Sequence, residues 1–228
     1  MKVLSWPKYS DNIEEQVTYR HLFSSKLILQ YNPKIVLDIG CGSGALLSFI
    51  PAPIFCVGLE RTEKKAIISL KNGVHNIVVA DASQTPFKNM VFDSVSMLEV
   101  LEHMPANKQA ESVKEIYRIL KIDSELIISV PYNYWISKLL DPAWMLGHKH
   151  FLESEIKNLL SQNKFSIKFI EIKGGFWELT GMLNVYASKW IFGRTMVLRS
   201  VFEHRRRLEY EMYKEGIATL FAVGKKQL

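Results

Sequence analysis

The chain has 228 residues, 48% hydrophobic and 23% charged, with 12 Gly, 8 Pro and 2 Cys. That balance excludes disordered, collagenous and low-complexity classes, and the length suits one large domain or one domain with an insertion. The formal charge of +6 is local: within 181–207, Lys189, Arg194, Arg199, Arg205, Arg206 and Arg207 stand against Glu203 alone. The rest of the chain is nearly neutral.

MKVLSWPKYS at the start lacks the apolar stretch of a secretory signal, and Cys41 and Cys56 are too few for a disulfide scaffold. A reducing, cytoplasmic setting is expected. Residues 11–30 read as a helix capped by Asp11 or Asn12, with Pro33 closing the following loop. IVLDIG (35–40) is a short, β-branched run of the kind that forms a buried parallel strand. Gly-rich CGSG follows, and ALLSFI (45–50) reads as the opening of a helix. PIFCVGLE (53–60) is a second strand, TEKKAIISLKNG (62–73) a helix with Thr62 as cap and Gly73 as stop, and NIVVAD (76–81) a third strand. VFDSVSML (91–98) is a fourth. Residues 106–120 place Val113, Ile116, Tyr117 and Leu120 on one helical face, and ELIISVP (125–131) is a fifth strand. A helix over 151–165, strands over 166–174 and 217–225, and an aromatic, basic insertion over 175–215 complete the chain.

Strands alternating with helices at this spacing predict an α/β, doubly wound, mostly parallel sheet of about seven strands with helices on both faces. Ligands in such sheets bind beyond the carboxyl ends of the strands. Asp38, Glu60 and Asp81 all fall at those ends.

Gly40, Gly42 and Gly44 directly follow the first strand, where they permit a tight turn and close approach of a ligand to the backbone. Taken alone, that pattern also fits a turn without a ligand or a dinucleotide fingerprint. Glu60, twenty residues after Gly40, can accept both hydroxyls of a ribose, which suits any adenosine ligand. Asp38 decides between them. A carboxylate buried there is costly unless paired; a ligand cation would pair it and a pyrophosphate would be repelled. Asp81, followed by Ala82, suits an adenine amino group. An amine, a ribose and an adenine without phosphate describe S-adenosylmethionine.

With these residues in place, the chain resembles the class I S-adenosylmethionine-dependent methyltransferases, in the broad group that includes the ubiquinone-biosynthesis methyltransferases. The stretches that carry the resemblance are VLDIGCGSGALL (36–47), VGLE (57–60), VVADASQTPF (78–87), FDSVSMLEVLEHM (92–104), EIYRILKIDSELIISVP (115–131) and GHKHFLESEIKNLLSQNKF (147–165). The resemblance implies a Rossmann-like sheet over 34–174 and 216–228 with an antiparallel last strand, an N-terminal helical segment (1–33) over the cofactor site, and a lid insertion at 175–215. It implies that Asp38, Gly40, Cys41, Gly42 and Gly44 hold the methionine end and Glu60 the ribose. Asp81 and Ala82 face adenine, and Leu98 and Glu99 border methionine and acceptor. Cys41 is expected to pack without thiol chemistry. Arg61 departs from the family pattern, in which a small polar residue follows the acid, and makes the adenine-side wall bulkier.

Methyl transfer from a sulfonium is an in-line displacement at an activated carbon, governed by alignment and desolvation, so no general base need be legible. His103 and His148 are the residues that could serve as one; a turn-ordering role for His103 and a helix-capping role for His148 and His150 are the alternatives. No acidic or cysteine partner stands at ligand spacing from the two histidines of GHKHF, so no metal is expected. The insertion reads as a lid with apolar residues inside and solvated arginines outside. Lys189, Arg194 and Arg199 interrupt its apolar run, which excludes a membrane span and leaves peripheral membrane contact through 181–207 or nucleic-acid binding as options. The reading is a methyltransferase acting on a small-molecule acceptor that could be hydrophobic. Its alternatives are a non-catalytic cofactor-binding interaction module, an RNA-directed methyltransferase using the basic insertion, and an NAD-dependent oxidoreductase, which Asp38 disfavours.

Overall fold

The computed structural model describes residues 18–141, 144, 147–192, 198–212 and 215–228, without the side chains of Tyr186, Lys189, Trp190, Ile191 and Phe192. Its strands are β1 (Ile35–Ile39), β2 (Phe55–Glu60), β3 (Ile77–Val79), β4 (Phe92–Leu98), β5 (Leu120–Pro131), β6 (Phe165–Lys173) and β7 (Thr219–Lys226). They form one sheet in the order β3-β2-β1-β4-β5-β7-β6. The first five run parallel, and β7 inserts antiparallel between β5 and β6. Helices α1 (Tyr19–Leu29), α2 (Glu63–Lys71), α3 (Ala106–Ile119), α4 (Trp135–Leu140) and α5 (Glu153–Gln162) precede or link strands, and α6 (Phe176–Phe192) and α7 (Arg199–Met212) separate β6 from β7. The doubly wound, Rossmann-like sheet with an antiparallel last strand is the architecture the sequence predicts.

Apolar runs in the central strands serve two cores at once. Leu126, Ile128 and Val130 of β5 join the core that holds Val113 and Ile116 of α3, whereas Ile127 faces Val36, Val223 and the Leu27–Ile28 pair of α1. Burying each such side chain stabilises the fold by roughly 1.5–3 kcal/mol, which is why β5 is apolar on both faces over 126–128.

Three boundaries differ from the sequence reading. Residues 45–50 form turns and a three-residue 3-10 helix, Leu47–Phe49, instead of opening an α-helix. Pro51 drives Ile50 to extended backbone (φ −92, ψ 114), and the Ser48 hydroxyl donates to Ala45 O at 2.8 Å. β5 begins at Leu120, where the predicted helix was still running, because Phe92 pairs with Leu120 across a register shift. α5 covers only Glu153–Gln162, and Glu155 accepts from Leu152 N at 2.8 Å, so neither histidine of GHKHF caps it. Of the predicted helix at 11–30, residues 11–17 lie outside the described residues.

The α6–α7 pair is closed at its base. Gly216 N donates to Ile172 O, and Ile217 N to Gly174 O, both at 2.8 Å, so residues 175–215 leave and re-enter the sheet at one point. Glu209 of α7 accepts from Gly175 N, Trp177 N and Glu178 N at 2.8–3.0 Å, satisfying free donors at the start of α6. Arg206 corrects the expectation of solvated arginines: it is 5% exposed and grips Glu178 through two bonds of 2.6 and 2.9 Å. Two carboxylates of the lid therefore need an inward guanidinium and inward backbone donors, and the lid core is partly ionic. Arg205 and Arg207 do face solvent, with Arg205 over the Trp177 ring; Arg194 and Tyr213 lie outside the described residues. Among the described residues no helix is long and apolar enough to cross a membrane.

Candidate functional site

The strand order brings the ends of β3, β2, β1 and β4 side by side, with Asp38, Glu60 and Glu99 at successive strand ends and Asp81 just past β3. β1 lies between β2 and β4, the switch point at which such sheets bind ligands.

The glycine loop is held before any ligand arrives. Gly40, Gly42 and Gly44 all have positive φ (71, 57 and 86°). A Cβ on Gly40 would strike Val100 and one on Gly44 would strike Val74, but one on Gly42 would meet nothing nearer than Gly40 O at 3.9 Å. The open face of the loop is therefore at Gly42. Gly42 N donates to Glu60 Oε1 at 2.8 Å, and Arg61 N to Glu60 Oε2 at 3.1 Å. Each Glu60 oxygen thus spends one acceptor site on the backbone and retains another. Ser69 donates to Gly42 O, and Asn72 Nδ2 to Ser43 O at 3.1 Å, so α2 pins the loop from behind. Sequence reasoning missed both residues; a polar pair on the inner face of an otherwise amphipathic helix was the available signal.

Asp38 is 3% exposed, and the Ser96 hydroxyl donates to its Oδ1 at 2.7 Å. Burial pushes its carboxyl up to about 7, against the Ser96 bond, which lowers it, with Glu60 adding a further rise. Among the described residues no Lys or Arg forms a salt bridge with it. Cys41 is buried, its thiol pushed up to about 12 by burial and its Sγ packed where a Cβ on Gly58 would fall. Asp81 is exposed, and Ser83 N and Oγ both donate to its Oδ1, at 2.8 and 2.6 Å; these bonds hold its carboxyl below the usual range. Ala82 is buried and Arg61 exposed.

Glu99 sits on positive φ (53°) directly after Leu98, the last residue of β4. Ser129 donates to its Oε1 at 3.1 Å, and Arg20 of α1 pairs with Oε2 at 2.6 Å. Arg20 also reaches Glu178 of the lid at 3.2 Å, so one guanidinium joins α1, the β4 turn and α6. Seventy-nine residues separate Arg20 from Glu99, and nothing local in the sequence signals the pair.

Three of the six histidines, His103, His148 and His150, converge with two acids. His148 Nδ1 and His150 Nε2 each lie 3.0 Å from Asp141 Oδ2, and His150 Nδ1 lies 3.1 Å from Tyr132 O. The other side of His148, Nε2, faces Glu102 Oε1 at 3.7 Å; His103 Nε2 faces that oxygen at 3.9 Å, and the His103 and His148 rings are 4.9 Å apart. The sequence expectation that no acid partners these histidines is thus overturned: Asp141 is contributed by the end of α4 and Glu102 by the turn after β4. Burial holds the Glu102 carboxyl far above the usual range, with Glu99 adding to the rise. Burial, then His148, lowers the His103 imidazole to about 4.

With this geometry, residues 37–128 match a family model described as a methyltransferase domain. Over those residues the chain is similar to methyltransferase domains. It is 28% identical over 83% of its length to an uncharacterized protein of Methanocaldococcus jannaschii, of which it covers 63%. A tRNA (carboxymethyluridine(34)-5-O)-methyltransferase of Arabidopsis thaliana is 28% identical over 42% of the chain and 24% of that protein. The chloroplastic tocopherol O-methyltransferase of the same plant is 31% identical over 42% of the chain and 29% of its own length. The chain thus spans under two thirds of each of these relatives. In fold it is similar to a methyltransferase of Haloferax volcanii solved with its Trm112 activator, with TM-score 0.66, 16% identity, and 96% and 93% of the two chains covered.

The residues present would fit S-adenosylmethionine: a buried carboxyl without a cationic partner among the described residues, an open glycine at the loop, and a carboxylate with acceptor sites to spare.

Proposed function

We propose that the chain is a methyltransferase that transfers a methyl group from S-adenosylmethionine to a small-molecule acceptor. The observation that carries the reading is Asp38, a buried carboxyl beside the glycine loop whose partner among the described residues is the Ser96 hydroxyl rather than a cation. When bound, the cofactor supplies a methyl carbon already activated by its sulfonium. Asp38 then pairs the ammonium of the methionine end, with the open face at Gly42 admitting the backbone of that end. Glu60 takes the ribose hydroxyls on its remaining acceptor sites. Asp81 and Ala82 border the adenine, and Leu98 and Glu99 border the methionine end and the acceptor. Arg20 fixes Glu99 against the lid, which excludes water from the reacting centre.

Thermal-shift titration with S-adenosylhomocysteine and with NAD tests the reading: stabilisation by S-adenosylhomocysteine is expected, and stabilisation by NAD alone overturns it. A second reading, an RNA acceptor, draws on the exposed Arg205 and Arg207 and on the relative that modifies tRNA. It predicts salt-sensitive retardation of RNA in a gel; a flat salt response removes it.

A further inference from the structure

Glu102 is an anomaly in the protein. Its side chain is 1% exposed, and among the described residues neither carboxylate oxygen has a hydrogen-bond donor. Leaving a buried carboxyl unpaired costs several kcal/mol in either protonation state, so a site that keeps one calls for a partner. Two imidazole nitrogens face the same oxygen, His148 Nε2 at 3.7 Å and His103 Nε2 at 3.9 Å. Those distances are too long for hydrogen bonds. They are close to the separation of two donor atoms bound to one tetrahedral ion, about 3.4 Å for metal–ligand bonds of about 2.1 Å.

The surroundings match a metal site as well. Asp141 holds Nδ1 of His148, turning Nε2 toward Glu102, and His150 holds Asp141 from its far side. A carboxylate that fixes the tautomer and orientation of a histidine is the usual support behind a metal ligand. His103 is half exposed, so the cluster opens to solvent on one side. Glu99, three residues before Glu102, is already committed to Arg20 and Ser129.

From this geometry we infer that Glu102, His103 and His148 bind one divalent transition-metal ion of the zinc class, with Asp141 positioning His148 and a fourth coordination place open. Two imidazoles and one carboxylate suit zinc or cobalt better than magnesium or calcium, which prefer oxygen sets. An acceptor hydroxyl in the open place would lose its proton more readily; that role rests on the methyl-transfer reading, whereas the site does not.

The test is direct binding to the tag-free full chain, stripped with chelator and titrated with Zn²⁺ by calorimetry and with Co²⁺ by visible absorption. One ion per chain and the intense visible bands of four-coordinate cobalt are expected. His103→Ala and Glu102→Gln should each abolish the cobalt bands, and Asp141→Asn should weaken affinity 10–100-fold. His103 is half exposed, so His103→Ala is expected to melt close to the wild type. Glu102→Gln removes an unpaired buried carboxyl, so metal-free it should melt no lower than the wild type. Wild-type protein without saturable binding overturns the inference, as does binding that survives both His103→Ala and Glu102→Gln. S-adenosylhomocysteine affinity, read in parallel on the same variants, reports separately on the methyl-transfer reading.

Discussion

Asp38→Asn separates the structural cost of the buried acid from its use. The folded protein holds this carboxyl near 7, whereas in an unfolded chain it titrates near 4. Between those values the folded state binds more protons than the unfolded one, so stability falls as pH rises from about 4 to about 7 and then levels off. The full difference is roughly 4 kcal/mol, the cost of ionising Asp38 in place. Asparagine keeps the shape and the Ser96 neighbour without the charge, so Asp38→Asn should be more stable than the wild type at pH 8 and nearly equal to it at pH 4.5. A ligand ammonium demands the opposite. It binds the ionised form, and with a carboxyl near 7 the affinity of the wild type for S-adenosylhomocysteine should drop about tenfold between pH 8 and pH 6. In Asp38→Asn the affinity should be weaker at pH 8 and lose most of this pH dependence. Calorimetric titration at pH 6, 7 and 8, with urea unfolding in the same buffers, gives both quantities. Wild-type affinity that is flat across this range, or an asparagine variant that binds as the wild type does, refutes the assignment of Asp38 to the ammonium.

Arg206→Ala should cost up to about 3–5 kcal/mol in urea unfolding, because it leaves the buried Glu178 carboxylate to Arg20 alone, and a loss under 1 kcal/mol would refute a buried ion pair there. Gly44→Ala combines a φ of 86° with a collision against Val74 and should lower stability by at least about 1–3 kcal/mol. Adding Val74→Ala should relieve the collision but not the backbone strain, so a double variant no more stable than Gly44→Ala would count against the collision. Cys41, its thiol raised to about 12, should resist iodoacetamide at pH 8 in the native protein and react once unfolded; native-state labelling at the unfolded rate would contradict its burial.

The sheet was legible because the parallel strands are short and mostly apolar, with their acids near the strand ends, and helices such as α3 carry a period of 3.6 between them. Asp38, Gly42 and Glu60 were legible because strand ends and glycine turns are local signals, and the structure brings the three together. What escaped has a common physical cause. Arg20 meets Glu99 and Glu178 across three separate elements, so its role exists only after packing. Glu102 and Asp141 approach the histidines by tertiary placement rather than by ligand spacing. Arg206 belongs to a run of three arginines that reads as a solvated patch. Its inward direction shows only in the helical spacing of Phe202, Arg206, Glu209 and Tyr210, in which charge type masks the period. The helix expected at 45–50 failed because a downstream proline outweighed the propensity of the apolar residues before it.

The closed neck of the α6–α7 insertion bears on how freely that segment can change. Because Gly216 and Ile217 bond back to Ile172 and Gly174, the sheet experiences residues 175–215 as a loop whose two ends already touch. The entropy of closing such a loop grows only with the logarithm of its length, about 0.6 kcal/mol per doubling. Helices can therefore be lengthened, shortened or exchanged above the neck while β6 and β7 keep their pairing. If the proposed function holds, the segment above the neck can change without disturbing the glycine-loop end of the sheet.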